Sequence, residues 1–289
     1  MIGYLILVHR YPEQFKRLFD AVYDPANQYV VHVDRNSGPE LEQQIRQFLA
    51  PYANADVIES RRALWGGYSL IDAELRGMKR LLEMSDDWSV FVNLSGQDFP
   101  LKSQADIMAF LTKHKGQEFI RAVDQRTIRP DTMNRVRNMV FERPGGILRT
   151  ILRRPFLRGA TPYIGNQWMM VSRRFCDFVC NDKAADRFKA FYRHTFIADE
   201  GFFQTVMKNT NAHGPMVNDD MRMIDWIPDG DIKLRPRTYT LADLPELKAS
   251  PSLFARKFDA EVDDAVIDAL EDWIAPVGAN RPIPTAEAA

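Results

Sequence analysis

Cysteine is scarce in this chain of 289 residues, which carries only Cys176 and Cys180. That excludes a disulfide scaffold and a cysteine-rich zinc module. The five histidines, His9, His32, His114, His194 and His213, are scattered without HExxH or any other ligand spacing. A zinc site is therefore not expected. There is no Walker loop, no GxGxxG and no GxSxG. No apolar run approaches the roughly 18 residues that a membrane span needs. Net charge is almost absent: 38 Lys and Arg stand against 39 Asp and Glu, a formal −1. This excludes a globally basic nucleic-acid binder and a highly charged disordered chain. With 15 glycines and 17 prolines the sequence is not of low complexity. What remains is ordinary globular composition, 45% hydrophobic and 27% charged, long enough for a continuous core.

The first half alternates strand and helix patterns. The opening MIGYLILVHR has no basic region before its apolar run and no small-residue cleavage site. It reads as a buried strand over residues 2–8 rather than a signal peptide, and the default expectation is a cytoplasmic protein. Pro12 opens a helix with Phe15, Leu18, Phe19 and Val22 on one side. QYVVHVD at 28–34, residues 56–59, SVFVNLSG at 89–96 and EFIRAV at 118–123 read as strands. Residues 41–50 read as a helix. Ser69 with Asp72, and Ser103 with Asp106, are helix-start patterns. Further on, QWMMVS at 167–172 and MRMIDW at 221–226 are strand-like. Helices are expected from 173, 183 and 199, with a final acidic one over 259–275. Strands alternating with helices predict an α/β sheet with right-handed crossovers. A single interwoven domain over 1–275 is expected, with a frayed tail at 276–289.

Charge is concentrated rather than missing. Residues 121–158 hold ten arginines, no lysine and three acids, a local +7. Within this basic insert, at about 124–160, ILRTILRRPFLR interleaves apolar and basic side chains. It reads as a solvated helical face, as an amphipathic contact with anionic lipid at the cytoplasmic face of an inner membrane, or as a surface for an acidic acceptor. Nucleic acid is the least favoured, because the rest of the chain offers no basic complement.

Local chemistry is less decisive. Cys176 and Cys180 are four apart on an expected helix, a poor spacing for a disulfide, and read as small core residues. Asp34 and Asp98 each follow a strand. In open α/β sheets ligands bind beyond the carboxyl ends of strands, although an Asp there also caps turns. Asp229-Gly230-Asp231 is a literal DxD that could bind metal, but Pro-Asp-Gly is also turn chemistry.

Seven segments together resemble one family. They are YLILVHR (4–10), VVHVDRNS (30–37), WGGYSLIDAELRGMKRLL (65–82), FVNLSGQDFPL (91–101), GNQWMMVSRRF (165–175), ADEGFFQT (198–205) and LFARKFD (253–259). In this order they resemble the core-2/I-branching β-1,6-N-acetylglucosaminyltransferases and peptide O-xylosyltransferases, glycosyltransferase family 14. GNQWMMVSR looks closer to the xylosyltransferase-like bacterial branch.

The resemblance implies a GT-A-like fold with a mixed, mostly parallel sheet. It implies an inverting transfer of xylose or N-acetylglucosamine from a UDP-sugar to a glycan or glycoconjugate hydroxyl, without a resident metal. Such a displacement needs a base for the acceptor proton and positive charge for the departing diphosphate. By resemblance the base is Glu200, in the first turn of an expected helix whose N-terminus favours the carboxylate. Asp199 and Glu200 also read as plain capping acids. The cations matching the family are Lys257 and Arg237, with Arg235 two residues away. His9, Asp34 and Tyr68 are implied on the donor side. Asp98, Gln167, Trp168 and Asp199 are implied near the sugars, although Trp168 also fits a core. Two rival readings stand beside this one: a metal-dependent transferase using Asp229 and Asp231, and a non-catalytic glycan- or lipid-binding protein.

Overall fold

The structure, a computed structural model, describes residues 1–229 and 234–275. Asp231 of the DxD and the expected tail at 276–289 lie outside the described residues.

The chain begins β1 (Ile2–Val8), α1 (Pro12–Val22), β2 (Gln28–Val33), α2 (Pro39–Leu49), β3 (Ala55–Val57), α3 (Ser69–Met84) and β4 (Val90–Ser95). Then come β5 (Asp98–Pro100), α4 (Gln104–Lys113) and β6 (Glu118–Ile120). The basic insert holds β7 (Val123–Asp124), α5 (Asn134–Arg137), β8 (Asn138–Arg143) and β9 (Gly146–Arg153). β10 (Tyr163–Ile164), β11 (Met169–Ser172), α6 (Arg173–Asn181), α7 (Asp186–Tyr192), α8 (Phe202–Lys208) and β12 (Met216–Val217) follow. The last part is β13 (Arg222–Ile224), β14 (Trp226–Pro228), β15 (Leu234–Pro236), α9 (Leu244–Ala249), β16 (Phe254–Arg256) and α10 (Ala265–Ile274).

Seven strands form the central sheet in the order β12-β6-β11-β4-β1-β2-β3. β11 runs antiparallel to both neighbours, and the other pairs are parallel. This mixed, mostly parallel sheet is consistent with the expected GT-A-like arrangement. β1 is apolar along its length because both its faces are covered. Tyr4, Ile6 and Val8 face one core with Phe15 and Phe19 of α1, Ile45 of α2 and Ile267 of α10. Leu5 faces the other, with Met78 of α3, Phe175 of α6, Phe188 of α7 and Phe202 of α8. Gly77 lets α3 lie close on β1: a Cβ there would come 2.5 Å from Leu5 Cδ1. A smaller sheet, β13-β16-β5, carries the late LFARKFD segment against the carboxyl ends of the central strands.

Three local expectations are corrected. ILRTILRRPFLR does not form a helical face. It supplies β9 of an antiparallel hairpin with β8, because Pro144-Gly145-Gly146 supplies a turn and β-branched residues favour the strand. Ser69 does not cap α3. Its hydroxyl accepts from Leu64 N at 2.8 Å, while the Glu142 carboxylate of β8 accepts from Ser69 N at 3.0 Å. The last helix starts at Ala265 rather than 259, and Arg17 of α1 grips Asp264, Asp268 and Glu271 around its acidic face. Ser103 does cap α4, accepting from Asp106 N at 3.1 Å.

Candidate active site

Glu200 closes a 3-10 turn, Ala198–Glu200, just ahead of α8 rather than inside its first turn. Three contacts aim this turn. Ile197 before it has φ 51°, a costly conformation for a β-branched residue, and its N–H donates to Gly66 O at 2.8 Å. Gly165 N donates to Glu200 O at 2.8 Å. A Cβ at 165 would lie 1.7 Å from Arg121 O, so the close approach needs glycine. Finally, Arg135 Nη1 donates to Glu200 Oε2 at 2.6 Å. The Glu200 side chain stays 30% exposed and lines a cavity of about 850 Å³. Polar Asn166, Asn134 and Thr132 share that wall with Trp65, Trp226 and Leu234. Aromatic faces beside hydrogen-bonding groups suit a sugar ring, which has apolar C–H faces and a polar rim.

Behind Glu200 the carboxyl groups are sealed from water. Burial, then the charge of Glu200, pushes Asp199 up to about 7, and its Oδ1 has no hydrogen-bond partner among the described residues. Glu74 of α3 is fully buried and accepts from Asn93 Nδ2 at 2.8 Å and Gln167 Nε2 at 3.2 Å. Burial pushes it up to about 8 despite those donors, so it is largely protonated at pH 7.

A second group of charges gathers beyond β1, β2 and β16. Asp34 follows β2, and its carboxylate accepts from Asn36 N at 3.0 Å and Ala63 N at 3.2 Å. Partial desolvation, then the cations Arg10 and Arg256, lowers His9 to about 4; Asp34 opposes this and Lys257 adds to it. Burial and Arg10 likewise lower Lys257, with Arg256 and Arg235 contributing and Asp259 opposing. Lys257 makes no ion pair among the described residues. Arg235 is about half exposed and only loosely paired, 3.9 Å from Asp229. Its neighbour Leu234 lines the Glu200 cavity, so the β14–β15 hairpin connects the two regions.

Among the implied residues, then, the structure brings His9, Asp34 and Lys257 to one place and Glu200 with Asp199 to another. The rest are held elsewhere. Arg237 is clamped by Asp225 at 2.6 Å and Asp243 at 2.9 Å, which raise its already high pKa. Asp98 is fully buried between Arg222 at 2.7 Å and Arg256 at 3.0 Å. Trp168 is 5% exposed, its ring faced by the same two guanidinium groups at 4.6 and 4.9 Å. Neither is presented to a sugar. Gln167 meets Glu74 rather than the cavity, leaving its neighbour Asn166 on the wall. Tyr68 is 9% exposed and borders a separate cavity of about 410 Å³ with Arg193 and His194. Asp229 faces Arg235, and among the described residues no cluster of three or more His, Cys, Asp or Glu could hold a metal.

Comparison with known proteins matches residues 2–248 to the Core-2/I-Branching enzyme family. The chain belongs to that family. Among its curated relatives it is 30% identical to Xylosyltransferase 1 of Rattus norvegicus, the alignment covering 94% of this chain and 35% of the relative. Xylosyltransferase 1 of Homo sapiens is 30% identical, covering 94% and 30%. The Xylosyltransferase of Ciona intestinalis is 29% identical, covering 93% and 34%. The chain thus spans about a third of the length of these relatives.

Four features of this Core-2/I-Branching family member escaped the sequence reading. Arg135 lay hidden among the other arginines of its segment. Glu74 sits in LIDAELRGM at a spacing shared with Ile71 and Met78, so an acid on the apolar face was visible there. Trp65 opens the WGGYS segment and Trp226 closes MRMIDW, but nothing local says that either ring flanks a cavity. The expected core role of the cysteines fits best at Cys176, which is buried, while half-buried Cys180 donates to Leu75 O at 3.5 Å.

Proposed function

We propose that the protein is an inverting glycosyltransferase that moves xylose or N-acetylglucosamine from a UDP-sugar to a hydroxyl of a glycan or glycoconjugate. The observation that carries this reading is the placement of Glu200. Its carboxylate opens onto a cavity of about 850 Å³ with aromatic and amide walls, one hairpin away from loosely held Arg235 and from Lys257, which makes no ion pair among the described residues. Relatives named xylosyltransferases support the sugar class.

In this scheme the acceptor oxygen attacks the anomeric carbon as its proton passes to Glu200. The bond from that carbon to the diphosphate oxygen breaks, and UDP departs with the electron pair. One displacement inverts the anomeric centre. Arg135 orients the Glu200 carboxylate, and neutral Glu74 adds no competing charge behind it. Lys257 with Arg235 holds the diphosphate, since Arg237 is committed to two carboxylates. Fixed cations at the leaving group supply the stabilisation that a divalent ion gives elsewhere. Asp34 and His9 lie where a nucleoside would meet the strand ends.

The test is UDP release from UDP-xylose and UDP-N-acetylglucosamine with a saccharide acceptor, in native protein and Glu200→Gln. A loss of about 10²–10⁴-fold is expected for the variant. Addition of EDTA is expected to leave the native rate unchanged. Equal release by both proteins would remove Glu200 from the mechanism, and no release with either donor would remove the donor class.

A further inference from the structure

The outer side of the arginine-rich segment takes no part in the proposed reaction, yet it is built unusually for a water-facing surface. Ile151, near the end of β9, is 96% exposed, and Leu152 beside it is 54% exposed. Two adjacent aliphatic side chains this open form an apolar patch rather than a lone exposed residue. At the foot of the same hairpin lies a cavity of about 510 Å³ lined by Arg126, Arg137, Arg153 and Arg154 around Pro155 and Phe156. Among the described residues no carboxylate lines it. Arg126 is taken up by Asp124 at 2.8 Å. Arg154 donates to Thr195 Oγ1 at 2.7 Å and stacks over Phe191, both uncharged. Arg137 and Arg153 make no ion pair among the described residues. Positive charge is left uncompensated around an apolar floor, next to two exposed aliphatic residues.

We propose that this hairpin docks the protein onto an anionic bilayer, Ile151 and Leu152 entering the boundary between headgroups and acyl chains while Arg137, Arg153 and Arg154 meet lipid phosphates. A free phosphate would satisfy the arginines but leave Ile151 in water. A neutral apolar partner would cover Ile151 but leave the arginines without counter-charge. An anionic lipid surface supplies both: alternation puts Ile151 and Arg153 on one face of β9 and Leu152 on the other, and β9 pairs only with β8 among the described residues, so contact along its open edge brings all three to one surface. Arg149 and Thr150 of the same strand line the Glu200 cavity. Docking would therefore hold that cavity near the membrane plane and favour a membrane-presented acceptor. This last consequence rests on the transferase reading; the docking itself does not.

The experiment is co-sedimentation of the full chain with phosphatidylcholine vesicles, and with vesicles in which about 30 mol% is phosphatidylglycerol, a strongly anionic surface. Binding is expected to the anionic vesicles only, and to weaken as salt rises. Ile151→Ser with Leu152→Ser, and separately Arg137→Gln with Arg153→Gln, should each weaken partitioning about tenfold or more. Both pairs should keep the native unfolding midpoint. The serine pair should also keep native UDP release with a soluble acceptor, so a failure of docking and a failure of the transferase reading would be told apart. Equal binding to neutral vesicles, no binding to anionic ones, or native binding by both folded variants would overturn the proposal. So would full displacement by soluble glycerol phosphate, which would make the cleft a simple phosphate site.

Discussion

Arg135 and Glu200 meet at 2.6 Å across 65 residues of chain, one from the arginine-rich segment and one from the acidic motif ahead of α8. The contact makes the insert part of the candidate active site rather than an appendage to it. It also orients the Glu200 carboxylate, since one oxygen is committed to Arg135; in the proposed mechanism the other takes the acceptor proton.

In the proposed mechanism Arg135 is thus a positioning residue. Arg135→Met should lower kcat about tenfold or more with a smaller change in the acceptor KM, because charge-assisted hydrogen bonds contribute about 1.5–3 kcal/mol. Arg135→Lys should recover part of the loss, as lysine keeps the charge but not the planar fork. Steady-state UDP release checks both. A kcat unchanged in Arg135→Met would show that the ion pair does not orient the base.

Stability should depend on pH through Glu74. Its folded pKa, about 8, lies above that of an unfolded glutamate, so the folded state holds the proton more tightly. That stabilisation is fully present below about pH 4 and is lost as pH rises through about 8, with a slope of up to about 1.4 kcal/mol per pH unit. Glu74→Gln keeps an uncharged hydrogen-bonding group of similar shape. Relative to native protein it should therefore unfold later at pH 9 than at pH 5. Parallel unfolding midpoints for the two proteins across that range would show that Glu74 is not buried neutral.

The cations should separate into two kinds. Lys257→Ala and Arg235→Ala should each weaken UDP binding about tenfold, seen as a smaller rise in unfolding midpoint on adding UDP, with the ligand-free midpoint near native. Arg237→Ala should lower the ligand-free midpoint, because Asp225 and Asp243 lose their shared partner. If Arg237→Ala abolished the UDP response at a native midpoint, the diphosphate assignment would move to Arg237.

Much of the fold was legible in the sequence. β1 is a continuous apolar run and β2 and β4 are largely apolar, the pattern of strands covered on both faces. The helix pattern of Phe15, Leu18, Phe19 and Val22 gives α1 and its buried side directly. The arginine-rich hairpin was misread because alternating apolar and basic residues fit a helix face or a strand, and length alone did not choose. The acidic helix was drawn too long because Asp259–Asp264 have helix-compatible charge but cap and turn the chain before Ala265.

The site divides along the same line. The motifs placed Glu200, Lys257, His9 and Asp34 as candidates, but they treated Asp98, Trp168 and Arg237 alike. Sequence by itself determined the strand and helix pattern, the two apolar faces of the sheet, the family and the concentration of positive charge, because these depend on residues close along the chain. Only the tertiary structure decided which charges are open to a ligand and which are spent on one another. Asp98 meets Arg222 across 124 residues, inside the protein, where an unpaired charge would be costly. Lys257 makes no ion pair among the described residues and stands beside Arg10, Arg256 and Arg235 with Asp259 opposing them, a setting that suits an anion. Desolvation and pairing are set by whatever the fold brings alongside, and no local spacing carries that information.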